Sequence, residues 1–151
     1  QTVPWVTHGD WHANNLFFSG GLVSSVIDFH LVETTFRCYD LAVATDRNTV
    51  PWLDLAEGRG RVRFDLVREL FRGYTSVMKL SGLQKKLLPL LLPVHQLDLA
   101  LSNTDYYLSV EKNRDRADWA FFVYLLEHAR RYSSPWGERV IERVSEIVEL
   151  C

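Results

Sequence analysis

His8-Gly9-Asp10-Trp11-His12-Ala13-Asn14-Asn15 is followed by two short apolar runs and then by Ile27-Asp28-Phe29. The apolar, Pro-interrupted lead-in Val3 to Val6 ends where the polar stretch begins, so His8 to Asn15 reads as a loop. Leu16 to Phe18 and Leu22 to Phe29 are β-rich, and Ser19, Gly20 and Gly21 between them supply the positive φ angles of a tight hairpin. A hairpin here brings Asp10 and Asp28 to the same end. Phosphoryl transfer to a hydroxyl needs a carboxylate to orient the attacking oxygen and accept its proton, and oxygen ligands for magnesium. Asp10, Asn15 and Asp28 form such a set, with the spacing logic of a kinase catalytic loop and the metal-binding Asp beyond it.

The same stretch resembles the aminoglycoside phosphotransferase and choline kinase family, small-molecule relatives of the protein kinases. The family pattern is HGDxHxxN, a hairpin, IDF or IDW, and a YDLA-like segment. Here it is carried by His8 to Asn15, Ile27-Asp28-Phe29 and Tyr39-Asp40-Leu41-Ala42. The resemblance implies that Asp10 is the catalytic base and that Asn15 and Asp28 bind Mg2+ and, through it, ATP. It implies that Asp40 braces the loop through backbone amides and that His8 orders the loop. His12, two residues after Asp10, is a catalytic candidate that touches the transferred phosphate, with packing in the loop as the alternative. Ala13 stands where the family often has Pro, and His30 where it often has Gly. A small hairpin first and helical periods afterward make a mostly helical α+β domain, and the resemblance further implies the C-terminal lobe of a protein-kinase-like fold. All 151 residues are then one domain, with the N-terminal ATP-binding lobe of the same protein outside this chain and little turnover by the lobe alone. Neither GxxxxGK[ST] nor GxGxxG occurs.

His8, Asp10 and His12 also spell H-x-D-x-H, a transition-metal ligand pattern of hydrolases. His30, His95 and His128 lie in no recognisable ligand spacing to complete it. A third class is a non-catalytic kinase-like binding module. The acceptor, a small-molecule hydroxyl, is expected among the later helices, with Asp98, Asn103, Asp105, Tyr106, Tyr107 and Glu127 as candidates. Carboxylates beside aromatics suit a cationic amine, and the same residues at helical spacing also describe a solvated face.

From Arg61 to Lys79 a helical period places Val62, Leu66, Val67, Leu70, Phe71, Tyr74, Val77 and Met78 on one stripe. Ser81 and Gln84 form a capping box opening the next helix, which Pro89 and Pro93 are expected to divide or kink, with a helix from about Pro93 to Val110. Asp118 to Arg131 and Pro135 to Leu150 complete the set, with Trp119, Phe121, Phe122, Tyr124 and Leu125 expected as core. Lys plus Arg number 17 against 19 Asp plus Glu, a balance that offers no basic footprint for nucleic acid or a membrane surface. The longest apolar run, Leu87 to Val94, is far short of the roughly 20 residues of a membrane span. No signal-peptide pattern is evident, and Cys38 and Cys151 form no disulfide framework or zinc spacing, so a reducing cytoplasm is the expected compartment.

Overall fold

The computed structural model describes residues 4–51 and 61–151; Val3 of the lead-in lies outside them. The fold is α+β and mostly helical, with two small antiparallel sheets ahead of the helices. Trp5–Thr7 (β1) pairs with Glu33–Thr35 (β4), Thr7 opposite Glu33. Neither strand is announced by the sequence, because three residues are too few to show an alternation. The hairpin of Leu16–Ser19 (β2) and Leu22–Val26 (β3) forms as expected, with Gly20 and Gly21 at φ 58° and 80°. Its second strand stops at Val26, short of Phe29. Asp28 takes a left-handed φ of 68° and Phe29–Leu31 closes a 3-10 turn, which a pleated strand cannot accommodate.

Tyr39–Thr49 (α1) follows at once. It is buried along almost its whole length from Leu41 to Asp46 and packs against Gly82–Ser109 (α3) and Phe64–Val77 (α2). The α2 stripe is narrower than its periodicity suggests: Val67 and Phe71 are buried, whereas Leu66 and Val77 are exposed. Ser81 and Gln84 close the reciprocal capping box that starts α3. Pro89 and Pro93 do not divide this helix, which runs unbroken through both. Each removes one N–H donor, but Leu88, Leu92, His95 and Gln96 are buried along the same length, and that packing holds the helix together.

The next helix begins earlier than expected. Asn113, whose side chain accepts from Arg116 N, caps Arg114–Asp118 (α4). The chain then widens into a π-helical stretch, Trp119–Leu125, before Leu126–Tyr132 (α5). The wider turn rotates the face that a 3.6-residue period would bury. Tyr124 and Leu125 are therefore buried, but Trp119, Phe121 and Phe122 are exposed, contrary to the expectation of core. Pro135–Glu149 (α6) has Pro135 in its first turn behind the Ser134 cap and buries Val140, Val144, Ile147 and Val148. The main core joins α1, α2, α3 and α6 around Leu41, Phe71, Leu88, Leu92 and Val144. Among the described residues no helix is long and apolar enough to cross a membrane.

Candidate active site

Asp40 lies in the first turn of α1, where a carboxylate favours the helix dipole. Its two oxygens accept the backbone N–H groups of His8 (2.8 Å) and Gly9 (2.9 Å), so the helix start and the polar loop are joined by two charge-assisted bonds. Gly9 holds a φ of 81°, which turns the loop sharply into Asp10. The buried His8 ring then fixes the other side. Its Nε2 lies 2.9 Å from Ile27 O and its Nδ1 3.3 Å from Asp10 N. A carbonyl only accepts and an amide only donates, so the ring carries its proton on Nε2 and is neutral in this network.

Asp10 is 7% exposed. Its Oδ2 is approached by His12 Nε2 at 3.2 Å and Asn15 Nδ2 at 3.3 Å, and Asn15 Nδ2 also donates to the Asp10 carbonyl at 2.9 Å. His12 caps the 3-10 turn Ala13–Asn15 by accepting Asn14 N–H at Nδ1, so its Nε2 carries the proton toward Asp10. On the other side Arg47 Nε forms an ion pair with Asp10 Oδ1 at 3.2 Å. Its N–H is not aligned on that oxygen, and Oδ1 is buried without a hydrogen bond. Asn48 Oδ1 accepts Ala13 N–H at 2.8 Å, while Asn48 Nδ2 donates to Trp11 O and Ala44 O. Arg47 and Asn48 escaped the sequence reading. The available signal was their spacing: with Asp40 and Ala44 they occupy one helical face, seven and eight residues on, that α1 turns to the loop.

Asp28 sits just beyond the hairpin, where Ile27 N donates to Asn15 O at 3.0 Å. The backbones bearing Asn15 and Asp28 are thus bonded side by side. Asp28 is exposed, and its Oδ1 pairs with His30 Nδ1. Asn15 commits its Nδ2 to Asp10, which turns its Oδ1 into the atom left for a cation. An amide oxygen and a half-open carboxylate are hard donors that fit magnesium. No cluster of three His, Cys, Asp or Glu side chains suited to a metal occurs among the described residues. The H-x-D-x-H triad in particular is not a joint ligand set, because both His8 ring nitrogens are engaged with backbone.

Of the acceptor candidates, α3 brings Asp98 toward the loop, with Tyr39 Oη donating to Asp98 Oδ2 at 2.9 Å. Burial, and then the Asp98 bond, push the Tyr39 hydroxyl well above its ordinary range. The others lie elsewhere. Asp105 and Tyr106 are exposed further along α3, Asn103 is half-buried, Tyr107 stacks under Arg116, and Glu127 pairs with Arg130.

A model of the phosphotransferase enzyme family matches residues 2–79, just over half of the chain. The homoserine kinase of Phenylobacterium zucineum (strain HLK1) is 34% identical over 86 residues, covering 57% of this chain and 25% of that protein. That of Gluconacetobacter diazotrophicus is 35% identical over 86 residues, covering 56% and 24%, and that of Gluconobacter oxydans (strain 621H) 36% over 84 residues, covering 56% and 25%. The chain spans about a quarter of the length of these relatives. The matched segment holds the loop, the hairpin, Asp28 and α1, and with it the chain belongs to the phosphotransferase enzyme family.

Proposed function

We propose that this chain carries the catalytic loop and acceptor-side lobe of a protein-kinase-like enzyme that moves the γ-phosphate of ATP to a hydroxyl of a small molecule. A second lobe of the same protein supplies most of the ATP contacts. The names of the similar homoserine kinases support a small amine-bearing alcohol as the acceptor. One observation supports this reading above the others: Asp10, Asn15 and the Asp28 segment meet at one end of the hairpin, on a loop tied to α1 by Asp40 and to Ile27 by His8.

In this account Asp10 orients the acceptor hydroxyl and takes its proton as the oxygen forms its bond to the γ-phosphorus and the bond to the β-phosphate oxygen breaks, releasing ADP. Asn15 Oδ1 and the Asp28 carboxylate hold magnesium, which when bound neutralises phosphate charge. His12 and Asn15 keep the Asp10 carboxylate in place, and Asp40 and His8 hold the loop. Asp10→Ala in the full-length natural polypeptide is expected to lower kcat by about 10²- to 10⁴-fold while ATP affinity, measured by titration, stays within about threefold. An unchanged kcat would remove Asp10 from the role of base.

A further inference from the structure

A pocket of about 80 Å³ opens beside Gly9, the residue before Asp10, between the β1–β4 sheet and α3. Its polar walls are Thr7, Glu33, Tyr39, His95, Asp98 and Ser102. His95 is the unusual member. It is 1% exposed, and neither of its ring nitrogens has a hydrogen-bond partner. Leaving a buried donor or acceptor unmade costs about 1–3 kcal/mol, so an imidazole with both nitrogens unmatched is a group waiting for a partner. Burial keeps the ring neutral, with its pKa pushed down to about 4. It therefore offers one donor and one acceptor.

The charge of the walls says what the partner is. Glu33 and Asp98 are carboxylates, and among the described residues no Lys or Arg lines the pocket. Arg47, whose charge is felt at His95, is ion-paired with Asp10 and is not a wall residue. An ammonium group is attracted here, whereas a carboxylate has no cation to meet and two anions to oppose it. At about 80 Å³ the space holds a group of a few heavy atoms.

Resting on the kinase reading above, we propose that this pocket is the acceptor's ammonium subsite and that it selects an amino alcohol lacking a carboxylate over homoserine itself, with Asp98 as charge partner and His95 as the buried hydrogen-bonding partner. Homoserine and 3-aminopropan-1-ol differ only in the carboxylate, so the pair isolates its contribution.

The test uses the full-length natural polypeptide, measuring both calorimetric binding and MgATP-dependent ADP release with 3-aminopropan-1-ol, L-homoserine and propan-1-ol. We expect 3-aminopropan-1-ol to bind at least about tenfold more tightly than the other two, one decade corresponding to about 1.4 kcal/mol. Asp98→Asn and His95→Gln are each expected to raise its KM at least about tenfold with kcat changed less than about threefold. Asp98 is exposed on α3, so its variant reports even where the buried His95 variant is poorly folded. Homoserine binding as tightly as 3-aminopropan-1-ol, or ADP release whose KM neither variant moves, would overturn the subsite and leave the kinase reading standing. Variant-sensitive binding of 3-aminopropan-1-ol with no ADP release would support the subsite and overturn the kinase reading instead.

Discussion

A Cβ built on Gly9 would lie 2.3 Å from Leu31 O and 2.9 Å from Leu31 Cβ, while the backbone there already holds a positive φ. Two independent constraints therefore select glycine one residue before the proposed base. Gly9→Ala should cost about 2–5 kcal/mol, the sum of left-handed strain and overpacking against the backbone, read as a lower urea midpoint. A variant as stable as the parent would mean that the loop tolerates a different turn and that its path is not fixed by Leu31. At this scale the sequence was most legible in placement: Asp40 accepts two loop amides, and Asp10, Asn15 and the Asp28 segment converge at one end of the hairpin. It was least legible at Arg47, Asn48 and His95. Their roles depend on what α1 and α3 face after packing: the helical spacing from Asp40 marks the face that carries Arg47 and Asn48 but not its partner, and a lone imidazole such as His95 carries no local mark.

Helices α1 and α3 meet across buried polar groups that set a pH dependence. Asp46 on α1 accepts a hydrogen bond from Tyr132 Oη at 2.9 Å and one from Gln96 Nε2, and Tyr124 Oη donates to Gln96 Oε1 at 2.7 Å. Burial raises the Asp46 carboxyl from 3.8 to about 7, against the opposing pull of the Tyr132 and Gln96 bonds. The folded state then holds a proton that the unfolded chain has lost, so stability falls as pH rises from about 4 to about 7. His95 works in the opposite sense: its folded pKa lies below 6.5, so stability is lost as pH falls from 6.5 toward 4. The two offset each other through their shared range. Relative to the parent, Asp46→Asn should make the unfolding free energy, read by urea titration, rise between pH 4 and 6.5. His95→Gln should make it fall, each by on the order of 3 kcal/mol across the window. Parallel profiles for parent and both variants would show that neither group is buried as described. The helix start marked by the Ser81 capping box, and the one marked by Pro135, were readable from sequence, because capping and a first-turn proline act locally. The unbroken α3, the π-helical turn of Trp119–Leu125 and the short strands β1 and β4 were not, because each is held by partners distant in sequence.

Over the whole molecule, the helices gather into one main core, and the β segments lie on the face where α1 begins. The fold class followed from the order of patterns along the chain, a β-rich hairpin before segments of helical period. The placement of the site followed from three blocks that lie far apart in sequence, joined by bonds whose geometry no spacing discloses: Asp40 to two loop amides, His8 to Ile27, and Asn15 to the residue before Asp28. On the reading proposed above, this junction is a phosphoryl-transfer centre that requires Asp28. The most direct test is ADP release from MgATP by the full-length natural polypeptide, with a panel of small amino alcohols and an Asp28→Ala control. Release that depends on the acceptor and drops at least about 100-fold in the control is the predicted result. Release that is independent of acceptor, or that survives Asp28→Ala, would contradict it.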